Sequence, residues 1–218
     1  MRVFNDGRTG KNGTVYNIPC YIVDITEEMR NQALSFSEEI IRRDNQYDRL
    51  LPKKIRECGD EELKKKFRIQ RTYIGKLGEL AFKAYLEEKG KTVNTDDMFV
   101  IYEGQENVDE FDFVTTDNKS VDIKTGYLEN HKRLMVNCEQ FLNNRKDYYV
   151  GIKLAAATER VVFGNVLVDF NNITSATIYG YCDYEFLNRQ ETRDFGEGPA
   201  KARFYNALMG IDKLLEKF

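Results

Sequence analysis

Two aspartates and a lysine fall close together in the segment Asp109-Glu110-Phe111-Asp112-Phe113-Val114-Thr115-Thr116-Asp117-Asn118-Lys119-Ser120-Val121-Asp122-Ile123-Lys124. Residues 111–115 and 120–125 alternate as two short strands around a turn-like stretch, and residues facing each other across a hairpin share a face. A loop of Thr116, Asp117 and Asn118 sets Phe113 opposite Val121 and Phe111 opposite Ile123, giving four apolar side chains on one face. The same register sets Asp112 opposite Asp122, with Lys124 two residues along on that polar face. A two-residue loop would place Phe113 opposite Asp122 and mix the faces. Asn118 suits the longer loop, because its last residue is usually left-handed and Asn tolerates that conformation.

Side-by-side carboxylates repel, and a face carrying them usually needs a cation. Oxygen ligands on rigid strands suit Mg²⁺, with Mn²⁺ as a substitute, and such ions keep several waters and accept phosphate oxygens. A neighbouring lysine can hold or activate an attacking water and balance charge developing on phosphorus. Phosphodiester hydrolysis requires this set where no histidine is at hand. The competing reading of Asp-x-Lys on a strand is a solvated edge. Three features favour chemistry: the apolar register, the near-absence of histidine, and Glu79 at the border of a buried helical stripe.

That stripe comes from a helix expected over about residues 60–89, continuous or broken near Lys66 and stopped by Gly90. Helical spacing aligns Tyr73, Ile74, Leu77, Leu80, Ala81, Ala84 and Tyr85, and Glu79 lies just outside them. Gly75 and Gly78 leave room beside it for a ligand or another backbone. Elsewhere the pattern predicts a loop over the first dozen residues, a strand over 15–25 and a Thr26-capped helix to about Asn45. Further strands are expected over 98–102, 148–154, 161–169 and 176–182, with helices over 136–145 and 199–217, the last opening on Pro199. The fold class is α/β, a central mixed sheet with helices on its faces, in one domain spanning 1–218.

The chain has 218 residues, three prolines and no repeat or low-complexity tract. Its four cysteines, Cys20, Cys58, Cys138 and Cys182, lie far apart and read as buried free thiols. The single histidine, His131, excludes multi-histidine metal sites within one chain, and its polar surroundings read as a solvated loop. A formal charge of −3 argues against coating nucleic acid through charge alone, but not against a local basic cleft. No apolar run is long enough for a membrane span, and the N-terminus lacks an apolar signal core, so a cytoplasmic protein without a membrane partner is expected.

The helix segment Gly75-Lys76-Leu77-Gly78-Glu79-Leu80-Ala81-Phe82, the strand start Phe111-Asp112 and the following Asp122-Ile123-Lys124 resemble the PD-(D/E)XK nuclease superfamily, with its restriction-endonuclease-like core, over about residues 68–154. The resemblance implies metal ligation by Asp112, Asp122 and the Ile123 carbonyl, water positioning by Lys124, and Glu79 on the metal directly or through water. Phe111 stands where the motif has proline, which leaves Asp109 as a substitute for Asp112. Residues 1–67 and 155–218 would then be elaborations for DNA binding or dimerisation.

Basic residues gather at Arg42-Arg43, at Lys53, Lys54 and Arg56, and at Lys64, Lys65, Lys66, Arg68 and Arg71. They form either a solvated helix face or a wall contacting the backbone of double-stranded DNA. The resulting expectation is a homodimeric type II restriction endonuclease. Its rivals are a repair, recombination or virus-borne nuclease, and an inactive nucleic-acid-binding protein on the same fold.

Overall fold

The computed structural model describes residues 1–9, 12–42, 51–101 and 112–218. In chain order the elements are β1 (Arg2–Thr9), β2 (Val15–Asp24), α1 (Glu27–Arg42), α2 (Lys53–Arg56), α3 (Glu61–Glu88), β3 (Phe113–Val114), β4 (Ser120–Gly126), β5 (Arg133–Asn137), α4 (Cys138–Asn143), β6 (Tyr148–Val162), β7 (Asn165–Asp183), α5 (Tyr184–Asn188), β8 (Thr192–Asp194), β9 (Pro199–Phe204) and α6 (Ile211–Leu215). The expected Asp109, Phe111, Arg43 and Tyr102 lie outside the described residues.

Six strands form one mixed sheet in the order β1-β2-β7-β6-β4-β3, antiparallel except for the parallel pair β4 and β6. A second antiparallel sheet has the order β5-β9-β8. The α/β class therefore holds, with a mixed sheet flanked by helices. On one face, Leu77, Leu80, Ala81 and Tyr85 of α3 pack against Val121, Ile123, Val150, Ile152 and Ile178. On the other face, Tyr149 and Cys182 join Leu134, Val136, Phe141, Leu187, Tyr205 and Leu208 in a smaller core. The main core draws on residues from Tyr21 to Leu214, so segments on both sides of residues 68–154 are built into it.

α3 is uninterrupted. Asp60 caps it by accepting from the Leu63 amide at 2.9 Å, and Gly90 follows it with φ of +73°. Thr26 caps α1 through the Met29 amide.

Several expectations need correction. The first residues are strand β1, paired with β2 from Arg2 to Thr9. What holds β1 is pairing and a buried arginine rather than apolar periodicity: Arg8 donates to the carbonyls of Leu208 and Tyr179 and pairs with Asp6. Residues 98–101 are not a strand. Met98 and Val100 donate back to the Thr95 and Asp97 carbonyls in turns, while Met98 and Phe99 supply side chains to the core. The strand expected over 148–154 does not stop at Leu154: β6 continues to Val162 and a tight turn at Phe163-Gly164, which falls inside the strand expected over 161–169. The expected helix over 199–217 is instead β9, a 3-10 turn at Tyr205–Ala207 and the short α6. Pro199 is the first residue of its strand, a place where the missing N–H costs little. All four cysteines are free, but only Cys20 and Cys182 are buried.

Candidate active site

The hairpin of β3 and β4 has the expected register: Phe113 faces Val121 and Val114 faces Ser120. Thr115 donates to the Lys119 carbonyl, which closes a loop of Thr116, Asp117 and Asn118, and Asn118 has φ of +58°. Phe113, Val121 and Ile123 enter the core beneath α3. Alternation sends Asp122 and Lys124 to the opposite face, where Lys124 meets α4.

Asp112 sits at the end of the short β3. Its Oδ2 accepts the Ile123 amide at 2.6 Å, so a side chain takes the place of the next rung of the ladder. Desolvation pushes the Asp112 carboxyl well above the usual carboxylate range, and the charges of Glu79 and Asp122 push it further; the Ile123 amide and Lys124 oppose them. Asp112 thus feels the helix carboxylate of Glu79 and the strand carboxylate of Asp122.

Each of the other two carboxylates has a lysine. Lys124 Nζ lies 2.6 Å from Asp122 Oδ2. That oxygen is buried and has no hydrogen-bond partner, so the contact is an ion pair without directed bonding. Lys124 also donates to Gln140 Oε1 at 3.1 Å. Glu79 Oε2 receives Lys76 Nζ at 2.7 Å, and the Lys76 ammonium stands over the Phe36 and Phe99 rings at 5.1 and 5.7 Å. Lys76 and Gln140 were not singled out from the sequence. The i,i+3 spacing of Lys76 to Glu79 was a usable signal. Gln140 had none, because its helix reaches Lys124 only through the tertiary fold.

Close contact between α3 and β4 explains how Glu79 reaches this place. A Cβ at Gly78 would stand 1.9 Å from Thr125 Oγ1, so the helix can approach only with glycine there. A Cβ at Gly75, one turn before Glu79, would touch nothing, so the helix surface is open at that position. Asp147 fixes the start of β4 by accepting the Ser120 amide and hydroxyl at 2.9 and 3.0 Å.

The basic residues occupy the first three turns of α3. Lys65 and Lys66 are exposed, Arg68 is half-buried, Lys64 is paired with Glu61 at 2.7 Å, and Arg71 is paired with Glu197. At ~1.5 Å per residue, Lys65 lies about 21 Å along the helix from Glu79. His131 is not a solvated loop residue. It is half-buried, and its Nδ1 accepts the Tyr127 and Leu128 amides at 3.2 and 3.3 Å, while burial pulls its pKa below the usual value. It staples a turn as a neutral imidazole.

The donors here are hard oxygens, and buried Asp122 Oδ2 lacks a directed hydrogen bond, which fits a hard divalent cation better than a soft one. Among the described residues, no three His, Cys, Asp or Glu side chains are gathered as a metal-holding group. Also among the described residues, no helix is long and apolar enough to cross a membrane. Comparison with known proteins finds no matching family model, no matching curated protein and no matching solved structure.

Proposed function

We propose that this chain is a metal-dependent endonuclease that hydrolyses DNA phosphodiester bonds at the β3–β4 hairpin, in the manner of a restriction-endonuclease-like core. One observation carries the reading: Asp112 lies within electrostatic reach of both Glu79 and Asp122, with Lys124 on Asp122, at a place where the fold gives the Asp112 charge too little compensation. A site that keeps an uncomfortable carboxylate gives up stability for a task.

Asp112 and Asp122, with the Ile123 carbonyl, would hold Mg²⁺ or Mn²⁺, and Glu79 would add a ligand directly or through water. The ion would supply positive charge to the phosphate oxygens and to the attacking water. Lys124 Nζ, tethered by Gln140 and Asp122, orients that water and offsets the negative charge that grows on the phosphate. Lys76 holds the Glu79 carboxylate in place through their ion pair.

The finer reading is a sequence-specific type II enzyme acting as a homodimer in the cytoplasm, with Lys64, Lys65, Lys66, Arg68 and Arg71 toward double-stranded DNA. Incubation of the purified protein with supercoiled and linear DNA, with Mg²⁺, Mn²⁺ or a chelator, tests both levels. Discrete bands support the sequence-specific enzyme. A smear supports a nuclease of another pathway, and no cleavage under any metal overturns the proposal. The ion pairs Lys124 to Asp122 and Lys76 to Glu79 also neutralise the site from within. This favours, as a second reading, a DNA-binding module that needs no metal, supported by duplex binding without cleavage.

A further inference from the structure

β6 and β7 form a long hairpin whose tip is built against local preference. Val162 pairs with Asn165, leaving Phe163 and Gly164 as a two-residue turn, and both have positive φ, +51° and +81°. Such turns favour Asn, Asp or Gly at the first position, because the left-handed region crowds any larger side chain. Here the position holds a phenylalanine that is 57% exposed, beside Val161 at 61%. Its ring gains no burial that would offset the strain, and strain of this kind collects at functional sites.

The hairpin is anchored firmly below the tip. Leu167 is buried with Leu51, Ile55, Leu63 and Phe67 of the α2–α3 region, and Val162 packs on the same cluster. Gln70 of α3, wholly buried, donates to the Val166 carbonyl and accepts the Val168 amide at 3.0 and 2.8 Å. The tip is thus coupled to the helix that carries Glu79. From Glu79 to Gln70 is ~14 Å along the helix, and from Val168 to Phe163 ~16 Å along the strand, so the tip lies within about one ~34 Å turn of duplex from the site. The surroundings suit phosphate. Residues 51–71 and 158–168 hold nine basic against five acidic side chains in a chain whose total is −3, and Lys53, Lys54, Lys65 and Lys66 are exposed.

We infer that Phe163 is a wedge that inserts between stacked base pairs of double-stranded DNA lying along α3, with the α2–α3 lysines gripping the flanking phosphates. The inference rests on the nuclease reading for the placement of the duplex. A rigid, strained, exposed aromatic next to positive charge is what unstacking needs: the ring replaces a base as stacking partner, and the cations hold the backbone on either side.

The test uses Phe163→Asn and Phe163→Gly in the full chain. Both suit a left-handed turn, so each should fold and melt about 3 °C or more above the parent. The probe is a short duplex carrying 2-aminopurine, with Ca²⁺ in place of Mg²⁺. The parent should raise the 2-aminopurine emission several-fold. Both variants should lose that rise and bind intact duplex about tenfold more weakly, while a duplex with a one-base gap is bound equally by all three. Unchanged affinity and emission in both variants overturn the wedge, and DNA cleavage by the parent in Mg²⁺ would leave the nuclease reading standing beside that result. Absence of duplex binding by the parent overturns the wedge, and the nuclease reading falls with it only where the parent also cleaves no DNA under any metal. Phe163-dependent dimerisation or vesicle binding without effect on DNA also overturns the wedge, assigning the ring to another surface.

Discussion

Replacing Asp112 with Asn should stabilise the metal-free protein at neutral and alkaline pH. In the native structure the Asp112 carboxyl titrates well above the carboxylate range, whereas in the unfolded chain it titrates near ~3.9. Between those two values the folded state binds more protons than the unfolded state. Stability from Asp112 is therefore fully present below about pH 4 and is lost as pH rises through the folded value, with a limiting slope of ~1.4 kcal/mol per pH unit. Asn imitates the neutral acid, and its side-chain oxygen can still accept the Ile123 amide. Each pH unit separating the two titrations thus gives the variant an advantage of ~1.4 kcal/mol, or about 3–6 °C in melting temperature for a chain of this size. The assay is thermal unfolding of both proteins with a chelator from pH 4 to 9, read as the difference curve. Groups unaffected by the substitution cancel in that difference. Added Mg²⁺ should raise the parent's melting point and leave the variant's nearly unmoved. Parallel curves, or a variant less stable than the parent at pH 8, would refute the electrostatic account of the site.

Lys124→Ala and Asp122→Ala should each lower metal-dependent cleavage by about 10² or more while folding survives, as single-turnover assays and circular dichroism would show. In Asp122→Ala, metal-free DNA binding should persist or strengthen, which a filter-binding titration checks. Gly78→Ala should destabilise the fold by about 1–3 kcal/mol through its clash with Thr125, and adding Thr125→Ala should restore most of the loss in denaturant titrations. Charge reversal at exposed Lys65 and Lys66 should weaken duplex binding and flatten its salt dependence, leaving cleavage of already bound substrate nearly intact.

The hairpin was readable because one short segment contains its own constraints. Phe113 and Val121 had to share a face, and Asn118 could take the left-handed position. α3 was readable for a similar reason: its cap at Asp60, its stop at Gly90 and its apolar stripe all lie within the helix itself. What escaped depends on distant partners. β1 exists because β2 offers a ladder and Arg8 finds carbonyls some 200 residues away. Residues 199–204 have helix-compatible composition, yet β5 and β8 capture them from both sides. The strand expected over 98–102 failed, over its described residues 98–101, for the opposite reason, since apolar residues there serve the core from a turn. Lys124 was recognisable, but its tether Gln140 was not, because that contact is created by the fold.

The place of β7 between β2 and β6 also sets an order of assembly. β6 and β7 are neighbours in sequence and can zip from their turn, whereas β2 pairs with Tyr21 opposite Ile178 and Asp24 opposite Ser175. On a ribosome adding roughly 5–20 residues per second, β2 emerges on the order of ten seconds before the strand it needs. Until then the β1–β2 hairpin has an open edge and an apolar flank without its permanent neighbour, a state in which strands pair with the wrong chain. Synthesis rate and holding chaperones should therefore govern the yield of this protein more than its final stability does, and slowing translation late in the chain should cost more soluble product than slowing it early.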